Sequence, residues 1–260
     1  MSSRRKFLSQ AATGALLLGA NSFPLDAFAG YDSEKITILH TNDWHSRIDP
    51  FPMDGGKYQG LGGVAARASL IQKLRAAADN VLLLDAGDIF QGTPYFNLYK
   101  GEPEMKAMEW MKYDACTMGN HDFDGGLSLF AEQLKHVRFP VLVCNYDFSG
   151  TPMEGKSKPY QIFRKGGVKI GVTGVGIRLE GLVPQNLYGS TLYLDPVKEL
   201  NDTAYRLKHQ LGCDLVICLS HLGYEYKNEP NRISDVRLAP LTRSEEHTSE
   251  LQSQFRISYA

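Results

Sequence analysis

Met118-Gly119-Asn120-His121-Asp122-Phe123-Asp124 sets an amide oxygen, an imidazole and two carboxylates directly after the apolar run Ala115-Cys116-Thr117-Met118. The run reads as a buried strand. Polar residues crowded at its end mark a site candidate, because ligands in open α/β sheets gather at the carboxyl ends of strands. Working outward, three more strand-like runs end the same way: Ile36-Thr37-Ile38-Leu39-His40-Thr41-Asn42-Asp43-Trp44-His45, Val81-Leu82-Leu83-Leu84-Asp85-Ala86-Gly87-Asp88, and Leu215-Val216-Ile217-Cys218-Leu219-Ser220-His221. Together the four would deliver Asp43, His45, Asp88, Asn120, His121 and His221 to one rim.

The segments between these runs decide the class. Apolar residues at helical spacing, with acidic residues and proline in one first turn, predict helices over residues 64–78, 102–112, 127–136 and 195–211. Further strands are expected at 81–85 and 141–145, with a hairpin pairing 160–163 and 168–175 across Lys165-Gly166-Gly167. Strands alternating with helices imply an α/β fold with a largely parallel sheet. The 260 residues carry a hydrophobic fraction of 43% and a charged fraction of 22%, those of a globular protein. A net charge of −1 argues against nucleic-acid binding and against an anionic-membrane partner. Cys116, Cys144, Cys213 and Cys218 lie in or beside apolar runs and are read as small core residues rather than disulfide partners.

Oxygen and imidazole donors without thiolate suit Zn, Mn, Fe, Co or Mg, and a shared carboxylate suits a pair of cations. Asp43-x-His45 offers two donors from one strand end, and the period of two in a strand points both side chains to one side, so the spacing suits joint coordination. Taken singly, each fragment is ordinary: D-x-H occurs in surface turns, and a lone histidine beside a core strand is usually structural. Their weight comes from their order and from all of them falling at strand ends.

In that order, Asp43-x-His45, Gly87-Asp88, Gly119-Asn120-His121-Asp122 and Ser220-His221 resemble the successive blocks of the calcineurin-like metallophosphoesterases. The fuller text, including Asp85-Ala86-Gly87-Asp88, Gln91-Gly92 and Phe123-Asp124, is similar to the 5′-nucleotidase/UDP-sugar hydrolase branch over about residues 35–242. The resemblance implies a four-layer sandwich, two mixed β-sheets flanked by helices, and a two-metal hydrolase releasing phosphate from a 5′-nucleotide. It implies that Asp43 and His45 bind one divalent ion, that Asp88 bridges, and that Asn120 and His221 bind the second. His121 would be the catalytic acid, held by Asp124. The branch usually has Glu where Asp122 stands. A cyclic-nucleotide phosphodiesterase, a nucleotide-sugar pyrophosphohydrolase and a thiosulfohydrolase of the same fold remain open, since fold and metals do not choose the substrate. Beside them stands a non-enzyme reading, an inactive metal-binding fragment.

The two ends of the chain read differently from its middle. Ser3-Arg4-Arg5-Lys6-Phe7-Leu8, the small-residue apolar stretch 11–20 and Ala27-Phe28-Ala29 together look like a twin-arginine signal over residues 1–29, which implies the twin-arginine translocase as a partner and a periplasmic or extracellular location. The apolar stretch is too short for a stable membrane anchor, where roughly 20 residues are needed, and a monomer is expected. At the other end, Arg243-Ser244-Glu245-Glu246-His247-Thr248-Ser249-Glu250-Leu251-Gln252-Ser253 resembles an in-frame translation of a sequencing adapter, so residues 243–260 are expected to be non-native. The family's Gly-His-x-His block, which follows Ser220-His221, is not found, so the catalytic domain is expected to span 30–242 incompletely and to work feebly or not at all. The signal reading predicts that mass spectrometry of the exported protein finds an N-terminus near Gly30, and that Arg4→Lys with Arg5→Lys stops export.

Overall fold

The structure, a computed structural model, describes residues 34–229 and 231–242; the expected signal 1–29 and the adapter-like tail 243–260 lie outside the described residues. In chain order the described elements are β1 (Thr37–Thr41), α1 (Val64–Ala76), β2 (Val81–Asp85), α2 (Pro94–Tyr99), α3 (Glu102–Trp110), β3 (Ala115–Cys116), α4 (Leu127–Gln133), β4 (Val141–Leu142), β5 (Tyr146–Asp147) and β6 (Ser157–Lys158). They continue with β7 (Tyr160–Lys165), β8 (Val168–Gly176), α5 (Gln185–Tyr188), β9 (Leu192–Tyr193), α6 (Pro196–Tyr205), β10 (Leu215–His221) and α7 (Asp235–Leu241). No helix among the described residues is long and apolar enough to cross a membrane.

Strand β2 shows why the chain layers as it does. Leu82, Leu83 and Leu84 are all fully buried, the mark of a strand covered on both faces. Alternation along the strand sends them to different places. Leu83 joins a core with Ala68 and Ile71 of α1, Met105 and Met108 of α3, and Leu127 and Phe130 of α4. Leu82 and Leu84 face the opposite way and pack with Ile170 and Val172 of β8 and Leu219 of β10. Beyond β8 and β10, a third cluster brings in Leu200 of α6 and Leu238 of α7. The order is therefore helices, sheet, sheet, helices, the four layers expected.

The first sheet runs β1-β2-β3-β4-β6 and is parallel throughout; the mixed character expected of both sheets belongs to the second, β10-β8-β7, where β8 pairs parallel with β10 and antiparallel with β7. The β7–β8 hairpin falls where the sequence placed it. So do the longer helices, although the last of them keeps α-geometry only to Tyr205 and continues as a wider π turn over Arg206–Gln210. Asp195 starts this helix by accepting from the amides of Val197 and Lys198, with Pro196 in the first turn. Helix α2 and the short strands β5, β6 and β9 carry too few residues for a period to show, so no pattern in the sequence announces them. The four cysteines are free, and three of them are buried.

Register fixes the rim. Thr41 lies opposite Asp85, and Asp85 opposite Cys116, so β1, β2 and β3 end side by side. Beneath that rim Asp85 is fully buried in a closed network. The Thr41 hydroxyl donates to its Oδ2 at 2.6 Å, and the Gly87 amide donates to Oδ1 at 2.9 Å. Thr41 Oγ1 in turn takes hydrogen bonds from Trp44 Nε1 and from the Tyr113 hydroxyl. The Arg67 guanidinium lies 3.7 Å from the Trp44 ring centroid.

Burial pushes the Asp85 carboxyl up to about 7, against the pull of Thr41 and Gly87. An acid whose pKa is raised on folding contributes stability that is complete below its unfolded pKa and is lost as pH rises through the folded value. Asp85→Asn, which cannot ionise, should therefore gain on the parent chain between about pH 4 and 7, by on the order of 1 kcal/mol per pH unit. Paired urea titrations across that range check this, and stability curves that stay parallel would refute it.

Candidate metal centre

The loop after β1 departs from the extended chain that the D-x-H spacing presupposed. β1 ends at Thr41, and Asp43, His45 and Ser46 all hold positive φ, at 52°, 46° and 52°. Such angles are uncommon outside glycine and collect at functional sites. What aims Asp43 and His45 together is this left-handed turn, not strand alternation. The turn is held by a ladder that continues the β1–β2 pairing past both strands: Asp43, His45 and Ser46 donate their amides to the carbonyls of Gly87, Asp88 and Ile89 at 2.9–3.0 Å. Asp88, φ 58°, is left-handed too.

The side chains then meet. His45 Nε2 lies 3.6 Å from Asp43 Oδ1 and 3.8 Å from Asp88 Oδ2, and a donor atom from each of the three lies within 4.8 Å of the others. His221, arriving from the end of β10 in the other sheet, puts its Nε2 3.2 Å from Asp88 Oδ2. Its Nδ1–H donates to the Ala86 carbonyl at 2.7 Å, which fixes the tautomer and turns Nε2 toward Asp88. Asn120 stands between Gly119, where any Cβ would collide with the Asp88 carboxylate and the His221 ring, and His121, whose amide donates to Asp88 Oδ1 at 2.8 Å. The His121 ring meets the His45 ring edge to face, centroids 5.2 Å apart, and its Nδ1 is hydrogen-bonded to Asp124 Oδ2 at 2.8 Å. All seven residues singled out from the sequence thus lie in one neighbourhood, with Asp88 as its hub.

The electrostatics follow from that crowding. Burial pushes Asp88 up, but the hydrogen bond and charge of His221, with the His121 amide, outweigh it and hold the carboxyl below its usual range. Asp43 likewise ends below the ordinary value, burial being outweighed by His45 and by the charge of His221. The bond to Asp43 holds His45 above the usual imidazole value in spite of burial. Burial opposes charge on His221, yet the bond to Asp88, the charge of Asp88 and the Ala86 carbonyl raise it to about 9.

The donor set fits divalent cations. It is built of imidazole nitrogen and carboxylate oxygen, and donors that share a cation at about 2 Å lie no more than about 4 Å apart, as His45 Nε2 does from the Asp43 and Asp88 oxygens. Three contributions escaped sequence reasoning: the Ala86 carbonyl, the room left by Gly119, and Asp122, whose carboxylate is buried in backbone amides instead of facing the site. Gly119 and Asp122 both stand in the quoted motif, but nothing in the sequence shows what either of them contacts.

Comparison with known proteins agrees with this geometry. The family model for calcineurin-like phosphoesterases matches residues 36–257. A snake venom 5′-nucleotidase from Crotalus adamanteus is 41% identical over 209 residues, which are 78% of this chain and 35% of that protein. The 5′-nucleotidase of Vibrio cholerae is 36% identical over 243 residues, 90% of this chain and 42% of the relative. A crystal structure of a 5′-nucleotidase precursor from Thermus thermophilus superposes with a TM-score of 0.67 at 36% identity, covering 73% of this chain and 37% of that one. The chain spans well under half the length of these relatives. With its fold, its strand-end donor cluster and these likenesses in agreement, the chain belongs to the calcineurin-like phosphoesterase family.

Proposed function

We propose that this chain carries the catalytic centre of an exported two-metal phosphoesterase that releases phosphate from 5′-nucleotides. The observation that supports it most is the hub at Asp88, where donors from three strand ends meet beside a histidine–carboxylate pair. In this reading Asp43 and His45 hold one divalent ion, Asp88 lies between the two, and Asn120 and His221 hold the second. Bound there, the ions supply Lewis acidity toward phosphoryl oxygens and lower the pKa of water. The chain's own residues do the rest. His221 presents Nε2 because Ala86 occupies its other nitrogen. His121 delivers a proton from Nε2 to the departing oxygen while Asp124, at Nδ1, stabilises the imidazolium. The nucleotide preference rests on the 5′-nucleotidase relatives, and export through the twin-arginine translocase to the periplasm rests on Arg4-Arg5 and Ala27-Phe28-Ala29.

The test is phosphate release from AMP and from a cyclic nucleotide by the complete gene product, with metal content read in parallel. His121→Ala should lower turnover by about 10²–10⁴-fold and keep both metals, the usual contribution of general acid catalysis. Asp88→Ala should lose metal and activity together. Release from the cyclic nucleotide alone would overturn the substrate assignment, and activity without metal would overturn the mechanism.

Metal loading should also release protons. At pH 7 His221, raised to about 9, carries a proton that a cation must displace. Titration calorimetry with Mn²⁺ at pH 7, in buffers of different ionisation enthalpy, should show about one proton released from this residue, and fewer at pH 9.5. Apparent affinity should rise across the same interval. Equal proton release at both pH values would contradict the His221–Asp88 pairing.

A further inference from the structure

Asp122 is 1% exposed and faces away from the donor cluster, yet its carboxylate ties together the two loops that form it. Oδ2 accepts from the amides of Asp88 at 3.0 Å and Gly119 at 2.8 Å. Oδ1 accepts from Ile89 at 2.8 Å and Phe90 at 3.2 Å. Four backbone donors on one carboxylate is a full complement, since ionised carboxyl oxygens only accept and offer about four lone-pair sites. Three of the donors are consecutive residues beginning at left-handed Asp88, a stretch with no helix or strand partner for its amides.

The tie is reciprocal. Asp122 takes the Asp88 amide, and Asp88 takes the amide of His121, the residue just before Asp122. The two loops therefore grip each other by backbone and carboxylate in both directions. The backbone of Asp88 cannot turn without breaking its bond to Asp122, and the Gly119-Asn120-His121 turn cannot slide along it without also breaking the bond from the His121 amide to Asp88.

We propose that Asp122 is a positioning residue for the metal centre, its carboxylate setting the placement of Asp88 against Asn120 and His121. This rests on the two-metal reading above. The role requires a carboxylate. An amide of the same shape would turn an NH₂ group toward two backbone N–H donors, leaving both unpaired and free to rotate the loop. A longer carboxylate keeps the acceptors. Partners that orient metal ligands typically change metal affinity by about 10–100-fold when removed.

The experiment titrates metal-free chain with Mn²⁺ by calorimetry and follows thermal unfolding in EDTA. Asp122→Asn should weaken Mn²⁺ binding by about 10–100-fold, and Asp122→Glu should recover most of that loss. Asp195→Ala, which removes a cap bonded to the Val197 and Lys198 amides of α6 rather than to the cluster, is the control for a merely structural effect: it should lower the unfolding temperature and leave Mn²⁺ affinity unchanged. Unchanged affinity in Asp122→Asn, or an Asp122→Glu that binds no better than Asp122→Asn, would overturn the positioning role. A parent chain that binds no Mn²⁺ would instead sink the two-metal reading, and this inference with it. Should Asp122→Asn not fold, hydrogen exchange of the parent decides: the amides of Asp88, Ile89, Phe90 and Gly119 should exchange as slowly as those of β2, and exchange at exposed-loop rates would refute the tie.

Discussion

A carboxylate 3% exposed cannot stay charged without partners, and the charge on Asp88 is what the rest of this structure is arranged to meet. Its partners are the imidazole of His221, the amide of His121 and, further off, the imidazole of His45. They come from the ends of β10, β3 and β1, while Asp88 itself follows β2. A parallel arrangement with aligned strand ends is the simplest way to bring four separate pieces of chain to one point, and the register Thr41–Asp85–Cys116 supplies it. Packing Leu82 and Leu84 of the first sheet against the β8 and β10 side chains of the second brings His221 over the same rim.

That arrangement explains why so much of the site could be read from the sequence. A buried strand announces itself by an unbroken apolar run, and the residue following the run must lie at the rim. Asp88, Asn120 and His221 were placed correctly by that logic alone. Asp43 and His45 were placed together for a wrong reason. Nothing in the letters Asn-Asp-Trp-His tells a left-handed turn from a strand, because what stabilises the turn is a ladder to Gly87, Asp88 and Ile89, more than 40 residues away in sequence. The role of Asp122 is hidden for the same reason. As text it is one more acid in a cluster of polar residues, and only the tertiary path of residues 88–90 makes it a backbone acceptor.

The buried acids below the rim divide according to what surrounds them. Asp122, buried and beside charged Asp88, is pushed up to about 6 even though amides surround it. Asp85, with a hydroxyl and one amide, is pushed to about 7. Asp88, with imidazoles, goes the other way. Backbone dipoles suffice to keep a carboxylate in place, but in this core only a second ionisable group outweighs the cost of desolvation. Of these three acids, the one held below its ordinary value is therefore the one that faces the histidines.

His221 and His121 read alike in sequence, each next to a small polar residue at the end of an apolar run. What separates them is the partner of Nδ1. His221 gives its Nδ1–H to a carbonyl, which orients the ring and leaves Nε2 as a lone pair for a cation. His121 faces a carboxylate instead, the partner that the proposed role of a proton donor requires. A carbonyl in place of the Asp124 carboxylate would leave the His121 ring with no negative charge beside it, and a carboxylate in place of the Ala86 carbonyl would crowd the hub with a further negative charge. In the proposed mechanism the different tasks of the two rings would thus be set by residues that touch neither metal nor substrate, one of them through nothing more than its backbone oxygen.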